Sequence, residues 1–200
     1  MPFDTTITGW MTEYELGFIE GWAKSAPPNG TIVEVGSFMG RSSAAWAMSS
    51  DPSVKIYCAD IFYENFIQTH NCPDEPNAPI SGQLYNLWEE FKKNTKTFNS
   101  IIPIKGEVPK ETAYTGGPID ILFVDATHTN PSDWDIIKYF VKFVKNGGLI
   151  IGHDYSEDYP DVIANAARLS EIYKSPLKTF EWTMFWAVDV TKPYSAEDFI

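Results

Sequence analysis

The chain has 200 residues, 44% hydrophobic and 15% aromatic, which suits one domain burying roughly 70% of its unfolded surface. A charged fraction of 21% is too low for a disordered chain, and a net charge of −12 sets it against phosphate backbones and anionic membranes. Nucleic-acid and membrane partners are therefore not expected; a small-molecule ligand is.

The first element is a helix over 12–24, opened by the capping box Thr12-x-x-Glu15 and carrying Leu16, Ile19 and Trp22 on one face. Pro27-Pro28-Asn29-Gly30 stops it. A β-branched run gives a strand over 31–36, followed by a helix over 41–49 and a second strand over 55–60. Residues 61–80 lack periodicity and read as a loop, lid or insert. Ser81 is the expected cap of a helix with Leu84, Leu87, Trp88 and Phe91 at helical spacing.

A short strand over 101–104 contains Pro103, which marks an edge. The run 120–125 is apolar enough to be buried on both faces. A helix over 132–145 is closed by Gly147-Gly148, a strand over 149–152 follows, and then a helix over 159–172. Segments 178–181 and 184–190 close the chain as an antiparallel pair. The alternation predicts α/β class: a single domain over 1–200 with a doubly wound sheet, mostly parallel, with an antiparallel last strand. The N-terminal helix and the insert 61–80 are the expected substrate cover.

Cys58 lies in a strand and Cys72 in a Pro/Asn-rich loop, settings too unlike for a disulfide framework or a zinc site. The first residues lack a secretory pattern and no apolar run approaches membrane-spanning length, so a cytoplasmic protein is expected. The oligomeric state is not legible, and a homo-oligomer is compatible with the sequence.

The chemistry gathers at strand ends. Glu34-x-Gly36-Ser37-Phe38-Met39-Gly40 joins a strand to a helix through two glycines, a layout that presents backbone N–H groups to a ligand. Phe38 stands where a dinucleotide fingerprint needs its second glycine, so a cofactor without phosphates is favoured. Glu34 offers a carboxylate to a cationic amine, and Asp60 can accept two ribose hydroxyls.

Asp125 and Asp154 end neighbouring strands, which lie about 4.8 Å apart. With an imidazole they could hold a divalent cation, or simply cap the following helices. His128 is the leading general base, with His153 competing as base or ligand; His70, in the insert, is a lesser candidate. Trp46, Trp88 and Phe91 have core spacing. Tyr63, Phe66, Trp134 and Tyr155 fall near the presumed ligand edge, and Arg41 either meets an anion or pairs with a surface acid.

The stretches VEVGSFMGRSS, IYCADIF, IDILFVDATHT and VKNGGLIIGHDY resemble the class I S-adenosylmethionine-dependent methyltransferases. They are most similar to the small O-methyltransferase-like branch that includes macrocin and catechol O-methyltransferase relatives. The likeness covers roughly residues 30–155. It implies a Rossmann-like fold and S-adenosylmethionine as cofactor, with Glu34, Gly36, Ser37 and Gly40 at its methionine end and Asp60 on its ribose. Gly106 and Glu107 would face the adenine, and Ser42, Ile61 and Asp125 complete the cofactor set.

In metal-dependent members an acid at the first tip and an acidic pair at the second bind magnesium. Here the second pair is His153-Asp154, a departure that leaves manganese, zinc or no metal open beside magnesium, with Asp125 and Asp154 as the candidate ligands. The implied reaction is methyl transfer to a hydroxyl of a small molecule, a sugar or polyol among the candidates. A cofactor-binding regulatory module without turnover and a nicotinamide oxidoreductase are the alternatives.

Overall fold

The structure, a computed structural model, describes residues 3–69 and 77–199; His70 and Cys72 lie outside them. Helix α1 (Glu13–Ser25) starts at Thr12 as expected: the Glu15 amide donates to Thr12 Oγ1 at 3.2 Å and the Thr12 amide donates back to the Glu15 carboxylate at 2.9 Å. Strand β1 (Thr31–Val35), helix α2 (Arg41–Ser49) and strand β2 (Lys55–Asp60) follow.

The insert is not wholly irregular. Strands β3 (Phe66–Ile67) and β4 (Leu84–Tyr85) pair antiparallel. This corrects the expected helix start. Ser81 caps nothing helical, Leu84 is exposed, and α3 (Leu87–Thr95) begins at Asn86, whose side chain accepts from the Glu89 amide at 3.1 Å. Gly82, at φ +78, turns the chain before β4 and breaks the helical reading of 81–86.

Strands β5 (Ile101–Lys105) and β6 (Ile119–Val124) come next, then α4 (Ser132–Phe140). α4 passes into a 3-10 turn over Val141–Phe143, and β7 (Val144–Gly152) starts earlier than expected. Gly147-Gly148 therefore lie inside a strand rather than ending a helix. Val144 pairs with Ile119 and Leu149 with Ile121, so the ladder between them is irregular, and Gly147 at φ +84 absorbs the extra residues. Helix α5 (Pro160–Tyr173) and strands β8 (Lys178–Thr179) and β9 (Trp186–Asp189) complete the chain.

The seven-stranded sheet runs β5-β2-β1-β6-β7-β9-β8, with β5, Pro103 and all, at one edge. β9 is antiparallel to both neighbours and the other pairs are parallel. Alternate residues divide the core. Ile32, Ile56, Cys58, Ile121 and Phe123 pack with α1, α2 and α3; Val33, Val35, Leu122, Val124 and Ile150 pack with α4 and α5. Each fully buried Leu, Ile or Phe contributes about 1.5–3 kcal/mol.

The winding direction reverses between β1 and β6. Val35 pairs with both Ala59 and Val124, and Val124 with Gly152, so four strand tips finish level at the switch point where open α/β sheets bind ligands. Among the described residues, no helix is long and apolar enough to cross a membrane.

Candidate active site

β1 leaves the sheet through Gly36 at φ +95. A Cβ there would collide with the Asp125 carbonyl and approach the Ala126 Cα, so only glycine lets the tips of β1 and β6 meet. The turn closes at Gly40 (φ +89), which precedes α2 and leaves no room for a Cβ against Thr95 and Phe91. Phe38 is also left-handed, at φ +47. Its ring is 4.7 Å from that of Trp10 and 5.3 Å from that of Phe66, making a roof over the turn.

Asp60 ends β2 beneath this turn. Its Oδ2 accepts from the Phe38 amide at 2.8 Å and its Oδ1 from the Phe62 amide at 2.7 Å. Burial raises its pKa against these bonds. Each oxygen keeps a lone pair for a further donor. Ile61, 38% exposed, is on the same rim. The Gly106 amide donates to the Asp60 carbonyl at 3.0 Å, which brings Gly106 to the rim too. The Glu107 carboxylate pairs with Lys110 at 2.5 Å on the surface.

Glu34 corrects the expectation of an amine-binding carboxylate on the rim. It points to the α2 face of the sheet, is 0% exposed, and accepts from the Ser43 hydroxyl. Its place is set by strand parity: Glu34 shares a face with Ile32. Burial raises its pKa, while Ser42, Ser43, Ser37 and Cys58 crowd the carboxyl and oppose the rise.

Arg41 is not at the surface. It is buried, and Nη1 donates to the Gly9 carbonyl at 2.7 Å while Nη2 reaches that of Thr5 at 3.4 Å. The Gly9 amide donates to the Asn77 carbonyl at 3.0 Å, linking the N-terminal segment to the insert. Trp46 and Phe91 are core, as expected, and Trp88 is half-buried beside Phe91. Phe66 is in the roof and Tyr63 is exposed. Trp134 is not at the rim: it is buried and stacks on Phe199. Tyr155 packs against the α4/α5 side of the core.

The acids and imidazoles converge. His128 Nε2 is 2.8 Å from Asp154 Oδ2, and its ring lies 4.5 Å from that of Tyr159. His153 is 6% exposed. Its Nε2 is 3.1 Å from Glu15 Oε1, and its Nδ1 is 3.5 Å from Asp154 Oδ1 and 3.9 Å from Asp125 Oδ1. Asp154 is held at φ +62, a left-handed conformation that Asp tolerates better than most residues.

In the sequence Glu15 reads only as a capping residue. The missed signal is its position: Glu15, Ile19 and Ala23 are four apart, so an acid lies on the buried stripe of α1.

The hydrogen bond to Asp154 raises the His128 pKa against burial. For His153, burial pulls the pKa down, but the bonds to Asp154 and Glu15 and the charges of Asp125 and Asp154 hold it well above the ordinary value. Burial pushes Asp125 well up, with the Asp154 charge adding to the effect. Asp154 resists burial through both histidines and stays well below the usual carboxylate range.

Residues 33–155 match the family described as Methyltransferase domain, well over half the chain. The chain belongs to that family.

Several solved structures are similar to this methyltransferase domain. Cofactor-bound Rv0187 from MTB has 16% identity and a TM-score of 0.61, covering 91% of this chain and 82% of that one. A methyltransferase from Geobacter sulfurreducens has 13% identity and a TM-score of 0.63, with coverages of 91% and 80%. The O-methyltransferase TomG from Streptomyces achromogenes, involved in tomaymycin synthesis and in complex with SAM, has 14% identity and a TM-score of 0.59, with coverages of 91% and 82%. At such identities the likeness concerns the fold. No curated protein sequence matches the chain.

The methyltransferase cradle fits a sulfonium nucleoside. Ser37 Oγ and Thr127 Oγ1 are buried polar atoms next to the tips of β1 and β6 with no close hydrogen-bond partner, and such atoms call for a ligand or water.

A divalent cation fits less well. Asp125, His128 and Asp154 each bring one donor atom within 4.8 Å of the others, but Asp154 already meets both histidines. An ion there would displace the His128 proton and lie against His153, whose two ring nitrogens both face carboxylates. As arranged, these residues do not fit the ion.

Proposed function

We propose that this methyltransferase transfers a methyl group from S-adenosylmethionine to a hydroxyl oxygen of a small molecule, with sugars and other polyols as the acceptor class. The observation that carries this reading is the 2.8 Å contact between His128 Nε2 and Asp154 Oδ2 at the level of the strand tips. A carboxylate that accepts the Nε2–H hydrogen bond leaves the Nδ1 lone pair as the base. The ionised Asp154 suits hydroxyl donors, and the net charge of −12 disfavours phosphate-rich acceptors.

When bound, S-adenosylmethionine supplies a methyl carbon on a sulfonium sulfur that departs as a neutral thioether. Gly36, Ser37 and Gly40 would cradle its methionine end and Asp60 its ribose. The buried Glu34 acts through Ser37, Ser42 and Ser43. The protein's main contribution is to align acceptor oxygen, methyl carbon and sulfur. With the donor bound, His128 Nδ1 would take the acceptor's hydroxyl proton as the methyl group moves to that oxygen, and Asp154 would stabilise the imidazolium. The aromatic roof of Trp10, Phe38 and Phe66 keeps water from the sulfonium.

The test uses a donor labelled in the methyl group and a panel of sugars, polyols, catechols, amines and nucleic acid. Label in an ether of a polyol supports the proposal. Label only in an amine or in nucleic acid, or donor binding without any transfer, overturns it.

A further inference from the structure

The chain has seven tryptophans. Six are buried or packed on another ring; Trp182 is 89% exposed. Its backbone is also left-handed, at φ +63. For a bulky side chain that conformation is an outlier, and it persists only where the surroundings over-determine it. The Thr183 amide donates to the Phe180 carbonyl at 3.2 Å, closing a turn with Trp182 in third place, where Gly or Asn would be relaxed. The Thr183 hydroxyl donates to the same carbonyl at 2.9 Å and accepts from the Phe185 amide at 3.1 Å. The Phe180 ring packs 5.3 Å from those of Phe18 and Trp22. A fixed turn thus holds a large aromatic ring in water, against its own backbone preference. The core gains nothing from that arrangement, which points to a ligand instead.

The turn lies at the edge of the sheet that carries the acids and imidazoles. β9 runs antiparallel to β7 and Trp186 pairs with Gly152, so the residues before Trp186 continue past the strand tips. The Tyr155 amide donates to the Met184 carbonyl at 2.9 Å, and the Phe185 ring is 5.0 Å from that of His153. Trp182 precedes Phe185 by three residues, a span of at most about 11 Å.

We propose that Trp182 is the acceptor platform of this site: a specificity-determining residue on which the C–H face of a pyranose ring stacks while the ring's hydroxyls reach His128 and Asp154. The inference rests on the methyl-transfer reading above and narrows its acceptor class to ring sugars. The face of an indole is negative, and the C–H hydrogens on one face of a pyranose are slightly positive. Such a ring has both parts the site calls for, hydroxyls around its edge for the imidazole and carboxylate and an apolar face for the indole. An open-chain polyol has the hydroxyls without the face. Tryptophan offers its contact area with only two side-chain torsions to fix.

The test compares a methyl pyranoside with an open-chain hexitol as acceptors of labelled methyl, in wild-type protein, Trp182→Asn and Trp182→Phe. Asn accepts the left-handed backbone and removes the ring. In Trp182→Asn, kcat/KM for the pyranoside should fall at least tenfold, through KM, and that for the hexitol less than threefold. Trp182→Phe should recover part of the loss. Calorimetry should give an unchanged affinity for S-adenosylmethionine, and the melting temperature of Trp182→Asn should equal or exceed that of wild type because strain is relieved.

An unchanged ratio of pyranoside to hexitol turnover in Trp182→Asn would overturn the proposal. So would a lowered melting temperature with equal losses for both acceptors, the signature of a structural role, or a dependence on Trp182 for a catechol but not for the pyranoside. If neither acceptor is methylated, the functional reading falls and binding judges the platform. The Trp182 indole N–H signal, assigned by its absence from Trp182→Asn, should then shift saturably in proton–nitrogen NMR with the pyranoside and not with the hexitol. An indole signal that stays fixed would overturn the platform as well.

Discussion

Gly36 and Asp125 touch backbone to backbone across the switch point of the sheet. The Asp125 amide donates to the Val35 carbonyl at 2.8 Å, and the Asp125 carbonyl fills the space where a Cβ on Gly36 would go. The cofactor turn and the acid at the next strand tip are therefore one rigid unit.

Gly36→Ala should lower stability by about 2–5 kcal/mol, from left-handed strain plus overpacking, and should weaken donor binding. Gly82→Ala is the control: its φ is +78 but its Cβ would meet open space, so only a conformational cost of about 1 kcal/mol is expected. Urea denaturation and calorimetry with the donor measure both. Equal midpoints for the two variants would contradict the close-approach argument.

His128→Gln removes the base and keeps a polar side chain near Asp154. Turnover should fall about 10²- to 10⁴-fold with donor affinity unchanged. Single-turnover kinetics with labelled donor make the measurement, and wild-type rates in the variant would remove His128 from the mechanism.

Because the bond to Asp154 raises the His128 pKa, kcat/KM should climb with pH through an inflection above about 6.5, the ordinary histidine value. Asp154→Asn tolerates the left-handed backbone and loses the charge, so its inflection should move to lower pH. An unmoved inflection would mean another group controls the rate.

Stability follows the same groups with opposite signs. The raised pKa values of His128 and His153 contribute stability that is fully present below about pH 6.5 and is lost as pH rises through their folded values. The lowered pKa values of Glu15 and Asp154 contribute stability present above about pH 4 and lost as pH falls through their folded values. Melting temperature should therefore peak between weakly acidic and neutral pH. A peak above pH 9 would contradict a charged His153.

The sheet was legible because its signals are local and periodic: apolar runs, glycine turns and a proline in the edge strand. Asp125, His128, His153 and Asp154 could be grouped in advance because strand tips in a parallel sheet lie side by side. Glu15 could not, since its contact with His153 spans 138 positions and depends on how α1 docks. Glu34 is buried on the α2 face because strand parity, not the motif around it, sets the direction of its side chain. The start of α3 is not legible because Leu84 has helical spacing but pairs with Ile67 in a strand. Arg41 looks like a surface cation until the N-terminal segment folds over it.

That fold-over gives the last prediction. Arg41 follows the glycine turn directly, and its guanidinium donates to the Gly9 carbonyl at 2.7 Å from a buried position. The strap it secures carries Trp10, whose ring lies against Phe38. A hydrogen bond from a charged donor contributes about 1.5–3 kcal/mol, enough to hold a short segment closed. A lysine lacks the planar fork that reaches two carbonyls, so Arg41→Lys should loosen the strap while leaving α2 intact. Trp10 fluorescence should shift toward that of exposed indole, protease should cut the first dozen residues several-fold faster, and the KM for the donor should rise with kcat little changed. Unchanged fluorescence and proteolysis would mean that the strap is held by the contact of Gly9 with Asn77 instead.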